Sequence, residues 1–322
     1  MDSLKSFKKD IFKITAQTFE ENALRLFKIQ SERNLIYREY LEHLGIEPVN
    51  INRIPDIPFL PIEFFKSHSI KTGEWTEQCV FKSSGTTKTG RSQHFIHDRG
   101  FYHNLSLKIA ETHFGPLRDM KILALLPSYL EQGDSSLVDM VNYFITKSSS
   151  GSGFHLHDYD ELIKTINDSK EQIMLFGVSY ALLDLSENYE IDLSKHIVVE
   201  TGGMKGRKKE ITRNELHTKL KSAFNCESIH TEYGMTELLS QAYGSDGNLS
   251  FPVWCKPFVR DLNDPFDLNE EGSGALNIID LTNTHSCAFI ETKDLIHLSK
   301  NGQFEVLGRM DNSDIRGCSL LL

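Results

Sequence analysis

Phe81-Lys82-Ser83-Ser84-Gly85-Thr86-Thr87-Lys88-Thr89-Gly90-Arg91-Ser92 crowds hydroxyls, glycines and cations into one short stretch. Glycine lets backbone N–H groups turn inward without a Cβ penalty. The hydroxyls, with Lys88 and Arg91, add donors, so the stretch suits a polyphosphate. Clusters of Ser, Thr and Gly also make ordinary polar turns. No G-x-x-x-x-G-K-[ST] run occurs, so the chemistry of P-loop NTPases is unsupported.

Three later stretches carry further candidates. Glu200-Thr201-Gly202-Gly203-Met204-Lys205-Gly206-Arg207-Lys208-Lys209 follows a buried-strand pattern. In open α/β sheets ligands collect beyond the carboxyl ends of strands, and paired glycines there let a flat ring lie on the backbone. Lys208 and Lys209 read better as the solvated face of a strand-to-helix loop. Ile229-His230-Thr231-Glu232-Tyr233-Gly234-Met235-Thr236-Glu237 reads as a strand, a turn and then a helix, with Thr236 able to serve as N-cap. Near the end stand Thr292-Lys293-Asp294-Leu295 and Gly308-Arg309-Met310-Asp311, followed by Arg316-Gly317-Cys318. Cys318 lies within reach of Arg316, whose charge favours the thiolate, on a terminal segment able to swing. The apolar tail 319–322 equally suits docking, which would leave Cys318 buried.

The elements that must position these residues are readable from periodicity. Leu4, Phe7, Ile11, Ile14, Phe19, Ala23, Leu26 and Phe27 recur at three to four residue steps, predicting amphipathic helices from residue 3 to about 44. Three prolines rule out helix over 54–61. Strands are predicted at 94–97, 121–127, 173–178 and 197–200. Helical patterns cover 99–114, 135–145, 180–187 and 213–224, and 148–153 reads as a flexible connection. This alternation implies an α/β fold built on mostly parallel sheet with crossovers. From 249 onward short strands at 275–279, 286–292, 296–299 and 304–307 form a terminal β-rich subdomain, with Asn301-Gly302 as the clearest hairpin. The expectation is one compact unit made of a helical leader (1–80), an α/β nucleotide-binding core (81–248) and the β-rich part (249–322).

The chain has 322 residues, 35 Lys plus Arg against 45 Asp plus Glu, and a net charge of −10, which argues against a general nucleic-acid binder. No apolar run approaches the ~20 residues of a membrane span, and residues 1–9 are too charged to lead a secretory signal, which points to the cytoplasm. The five cysteines show no C-x-x-C pair, so zinc and redox motifs are unsupported and free thiols are expected. His155 and His157 lack a third ligand at sensible spacing for a metal. His94, His97, His103 and His113 read as satisfied or exposed. Phe176, Tyr180, Leu182 and Leu183 suit a core better than an acyl tunnel.

Ser83-Ser84-Gly85-Thr86-Thr87 resembles the phosphate loop of the adenylate-forming superfamily, which joins carboxylic acids to AMP using ATP. The resemblance implies the large N-terminal-type domain of those enzymes, with Ser83, Ser84, Gly85, Thr86, Thr87 and Lys88 on the phosphates. Gly202, Gly203 and Met204 stand where the superfamily's adenine segment stands. Glu232, Tyr233, Gly234, Met235, Thr236 and Glu237 resemble its Tyr-Gly-x-Thr-Glu motif, in which the aromatic stacks on adenine, the Thr meets the α-phosphate and the Glu holds Mg²⁺. Asp294 matches the residue that grips the ribose, and Arg309 matches the Arg of the hinge motif.

The given chain runs only four residues past Cys318, which implies that the small lid domain and its catalytic lysine are missing. With Pro127-Ser128-Tyr129 and Asp134-Ser135-Ser136-Leu137, about residues 60–322 resemble the acyl-protein synthetases of bacterial bioluminescence operons and their non-luminous relatives. Those activate a fatty acid as acyl-AMP, move it to a cysteine near their own C-terminus and feed a reductase. The likeness therefore implies ATP and Mg²⁺ as cofactors and Cys318 as acceptor, and a reductase or carrier protein as partner. Lys205 or Arg207 is the expected substitute for the lid cation, with a cation lent by a partner protein as the alternative. Two alternatives stay open: an acyl- or aryl-CoA ligase of the phenylacetate type, and a nucleotide-binding regulatory subunit.

Overall fold

A computed structural model describes residues 3–84, 90–127, 133–155, 159–202 and 211–310. Among these, 3–74 pack with 253–310 as a first unit, and 75–252 form a second. Along the first unit run α1 (Ser3–Asp10), α2 (Phe19–Arg33), α3 (Leu35–His43), β1 (Leu60–Pro61) and α4 (Phe64–Ser67). The second holds β2 (Cys79–Lys82), β3 (Gln93–Ile96), α5 (Arg99–Phe114), β4 (Met120–Leu125), α6 (Ser136–Lys147), β5 (Gly153–Phe154), α7 (Tyr159–Asp168) and β6 (Gln172–Val178). It continues with α8 (Ser179–Asn188), β7 (Ile197–Thr201), α9 (Arg213–Phe224), β8 (His230–Tyr233), β9 (Ala242–Ser245) and β10 (Asn248–Ser250). The chain then returns to the first unit as β11 (Cys255–Arg260), β12 (Leu268–Asn269), β13 (Gly272–Asp280), β14 (Phe289–Leu298) and β15 (Phe304–Arg309).

The fold class is α/β, as the alternation of patterns implies. In the second unit β5, β4, β6, β7 and β8 lie side by side and parallel, and β9 and β10 extend the sheet antiparallel. β4 and β6 are nearly continuous apolar runs because helices cover both faces of a parallel sheet. α5 begins where the Asp98 carboxylate accepts from Phe101 N (2.9 Å) and ends at Gly115, whose φ of 88° suits glycine. Residues 148–153, expected as a flexible connection, are tied down. Ser152 Oγ accepts from Ile122 N (2.9 Å) and donates to Ser149 O (2.7 Å), so one hydroxyl ties the connection to β4 just before β5 pairs with it. The helix expected after the Tyr-Gly turn is absent. Residues 234–241 form an irregular turn, because the chain reverses at once into β9 against β8.

In the first unit β12, β11, β13, β14 and β15 form an antiparallel sheet, with β1 parallel on β14. The two strands expected at 286–292 and 296–299 are one, β14, with a register shift against β15 between Leu295 and Ile296. Residues 286–288 belong instead to a buried loop whose backbone is satisfied from the helical leader. Gln30 Nε2 donates to Asn283 O (2.9 Å) and Ser286 O (3.2 Å), and Gln30 Oε1 accepts from Ala288 N (2.9 Å). Asn34, which caps α3 through Tyr37 N (3.1 Å), also donates to Ser286 O (3.1 Å). Buried backbone groups without a ladder need such partners. Tyr37, wholly buried, stacks on Phe289 at 6.1 Å and donates to Pro58 O (2.5 Å).

Gln30→Leu keeps the volume and leaves several buried backbone groups unpaired. It should lower stability in urea unfolding by roughly 3 kcal/mol. A loss below about 0.5 kcal/mol, the scatter of ordinary surface changes, would contradict this account of the leader.

Candidate functional site

The carboxyl ends of β7 and β8 carry two buried glutamates in a reciprocal arrangement. The strands pair with Glu200 beside Thr231 and Thr201 beside Glu232. Because side chains alternate along a strand, the two pairs point to opposite faces of the sheet. On one face Thr231 Oγ1 donates to Glu200 Oε2 (3.2 Å), and Ser179 Oγ at the start of α8 donates to Glu200 Oε1 (2.6 Å). On the other the Thr201 hydroxyl donates to the Glu232 carboxyl.

The environments push the two carboxyls apart. Burial raises both. At Glu200 His217 and Arg213 of α9, with Ser179, outweigh burial and hold the group below the usual carboxylate range; His217 Nε2 stands 3.7 Å from Glu200 Oε2. At Glu232 burial dominates, the Thr201 hydrogen bond opposes it, and the charge of Glu200 adds to it, so its pKa rises to about 7. Desolvation disfavours a charge unless a counter-charge is close.

Beyond β8 the turn is built on these supports. A Cβ at position 234 would come within 2.6 Å of Glu232 Oε1, so any larger residue there would have to displace the Glu232 carboxyl. Leu238 N donates to Met235 O (3.1 Å), Tyr233 Oη reaches Met235 Sδ at 3.5 Å, and the Tyr233 ring meets Phe251 edge-on at 6.1 Å. Glu237 is buried and Thr236 half-buried. His94 on β3 is buried, and its Nδ1 donates to Thr236 O (2.8 Å). Desolvation lowers its pKa to about 4, against the raising effect of that bond, so the ring is neutral.

The stem of the hydroxyl-rich stretch belongs to the same unit. Ser83 N donates to Ser92 O (3.0 Å) and Ser92 N to Ser83 Oγ (3.0 Å). Arg91, read from the sequence as a phosphate donor, gives its guanidinium to the Asp134 carboxylate (2.7 Å) and to the carbonyls of Ser83 and Lys82. Lys82 N in turn donates to Asp134 O (2.9 Å). Ser84 is the last residue described before Gly90. Gly85, Thr86, Thr87 and Lys88 lie outside the described residues, as do Gly203, Met204, Lys205, Arg207 and Cys318. Gly202, at the end of β7, has φ of 71°. Asp294 and Arg309 face each other across β14 and β15 in the first unit, with Arg309 Nε 3.7 Å from Asp294 Oδ1.

Sequence reasoning passed over Glu200, Asp134 and His94 as working residues. A carboxylate inside Ile197-Val198-Val199-Glu200 is a signal in itself. His94 carries none, since its partner is a backbone carbonyl.

No family model matches the sequence, and no curated protein matches it. Solved structures do match. ATP-bound MatB from Rhodopseudomonas palustris superposes with a TM-score of 0.54 at 16% identity, over 71% of this chain and 47% of its own. The O-succinylbenzoate coenzyme A synthetase MenE from Bacillus subtilis, in complex with AMP, gives 0.54 at 18% identity, over 73% and 49%. A 2-hydroxyisobutyryl-CoA ligase in the postadenylation state, in complex with 2-HIB-AMP, gives 0.66 at 12% identity, over 90% and 67%. The chain has their fold. It spans about half the length of the first two. Among the described residues no helix is long and apolar enough to cross a membrane.

The raised carboxyl makes a pH prediction. Folding favours the neutral form of Glu232, so the folded chain holds a proton that the unfolded chain releases between the ordinary 4.5 and about 7. That contribution is full below pH 4.5 and is lost as pH rises through 7. At ~1.4 kcal/mol per pH unit it is on the order of 3 kcal/mol. Glu232→Gln, which cannot titrate, should flatten the fall in stability between about pH 5 and 7.5. Parallel stability curves for the two proteins would contradict the assignment.

Proposed function

We propose that this chain activates a carboxylic acid with ATP as an acyl adenylate and passes the acyl group to a thiol. One observation carries the reading. Within a single unit, β3 leaves the hydroxyl-rich stretch and is hydrogen-bonded through His94 to the Thr236 turn, at the carboxyl end of β8 beside that of β7. Carboxyl ends of parallel strands are where α/β sheets bind ligands. The shared fold with proteins whose structures hold ATP, AMP and an acyl adenylate supports the same reading.

In this reading residues 83–88 cradle phosphates, Gly202, Gly203 and Met204 back the adenine, Tyr233 stacks on it and Thr236 meets the α-phosphate. Among the described residues no three His, Cys, Asp or Glu side chains cluster as a metal cage. One buried carboxylate suits Mg²⁺, which draws its other ligands from phosphate oxygens and water, and Glu237 is the residue that would hold it. Bound there, the ion would offset phosphate charge.

A carboxylate oxygen of the substrate attacks the α-phosphorus. The new O–P bond forms as the bond to pyrophosphate breaks, and pyrophosphate leaves with the electron pair. Charge built on the α-phosphate calls for a positioned cation, a role proposed for Lys205 or Arg207. A thiolate then attacks the acyl carbon and AMP departs, leaving a thioester. Burial raises the pKa of Cys79, Cys226, Cys255 and Cys287, to about 11 at Cys79 and about 12 at Cys287, which disfavours their thiolates. From the resemblance to acyl-protein synthetases, Cys318 is the proposed acceptor, a fatty acid the proposed substrate, and a reductase or carrier protein the proposed recipient. A second reading, with coenzyme A as the thiol, is favoured by the fold shared with a coenzyme A synthetase and a CoA ligase.

The two readings part on labelled fatty acid with ATP and no coenzyme A. The wild type should acquire a hydroxylamine-labile acyl group, and Cys318→Ser should release pyrophosphate yet hold none. Acyl-CoA formed on adding coenzyme A, with no self-labelling, would replace the first reading by the second.

A further inference from the structure

We propose that His94 is a positioning residue, locking β3 to the turn that carries Thr236 and Glu237, so that the turn keeps one fixed place against the Ser83–Ser92 stem. The proposal rests on the adenylation reading and adds to it the part that sets the geometry.

Residues 234–241 belong to neither helix nor strand, so their carbonyls are met by separate hydrogen bonds instead of a ladder, as Met235 O is by Leu238 N (3.1 Å) and Leu239 O by Gln241 Nε2 (3.0 Å). The imidazole of His94, 142 residues away in sequence, supplies a donor to one of them at 2.8 Å. A carbonyl can only accept, so Nδ1 carries the proton. Desolvation keeps the ring from taking a second one at neutral pH, and the link therefore does not change with ordinary pH.

Both ends of the link are anchored. On the strand side, β2 and β3 are paired from Cys79 with Ile96 to Lys82 with Gln93, and the pairing is closed by the two Ser83–Ser92 hydrogen bonds. Arg91 ties that stem to Asp134. On the turn side, Gly234 lies against Glu232, which is fixed by Thr201. His94 joins these two frames directly. An apolar residue would fill the same buried strand position without fixing the turn. A loose turn would misplace Thr236 and Glu237 against the phosphates, and misplacement by about 1 Å can cost roughly a hundredfold in rate.

The test uses the full chain and three variants. His94→Leu fills the space without a donor, His94→Asn places an amide N–H close to where Nδ1 stands, and His94→Gln carries its amide one bond further. Acid-dependent pyrophosphate release and hydrogen–deuterium exchange of peptide 229–241 are both read. Leu and Gln should lower kcat by roughly tenfold to a hundredfold, with KM for ATP within about threefold. Both should speed exchange of 229–241 by roughly tenfold, and leave 120–125 at the wild-type rate. Asn should restore both readouts. Wild-type kcat and exchange in the Leu variant would overturn the proposal. So would an Asn variant as impaired as Leu, because bulk and not the donor would then matter. If the wild type itself releases no pyrophosphate with any acid, the adenylation reading falls, and the exchange rates alone decide whether His94 holds the turn.

Discussion

Two carboxylates buried on opposite faces of neighbouring parallel strands set the terms for the second unit. Glu200 and Glu232 sit at the carboxyl ends of β7 and β8, each hydrogen-bonded by the threonine beside it on the other strand. Burying a charge is costly unless it is paired. Glu200 meets that demand with the hydroxyls of Ser179 and Thr231 and with Arg213 and His217 of α9 nearby, and its pKa is held down. Glu232 meets it by staying largely protonated towards neutrality, which allows the chain to cross directly over it at Gly234.

Much of the framework is readable from local chemistry. The boundaries of α5 coincide with the predicted 99–114 because an Asp cap and a positive-φ glycine mark them. The Asn301-Gly302 turn joins β14 to β15, with Gly302 at φ of 82°. A second hairpin, Asp246-Gly247 between β9 and β10, has φ of 52° and 88° and carries the same signal in its residue types. What local pattern does not reveal is who satisfies whom at a distance. Gln30 lies on an amphipathic helix and reads as one polar residue among others, yet it serves backbone groups some 253 to 258 positions away. The charged pair Lys293-Asp294 reads as a break within β14, yet its partners lie elsewhere in the first unit: Lys293 pairs with Glu63, and Arg309 stands near Asp294.

The candidate site divides in the same way. The motif residues Tyr233, Gly234, Thr236 and Glu237 announce themselves by type and spacing. Their supports do not. Arg91 looks from its neighbours like a phosphate donor and is spent on the stem of its own hairpin. His94 looks like a histidine of no consequence and holds the turn. Fold likeness cannot supply these assignments, because one fold hosts many chemistries and the site must be argued from its own residues.

The central claim is that the turn beyond β8 meets the phosphates of ATP through Thr236 and the metal through Glu237. Crystals grown with ATP and Mn²⁺ in place of Mg²⁺ test it most directly, since the anomalous signal locates the ion without reference to activity. The account predicts a peak in direct contact with the Glu237 carboxylate, with the α-phosphate beside Thr236, and loss of that peak in Glu237→Gln. Nucleotide and ion bound with Glu237 in no contact with either would contradict it.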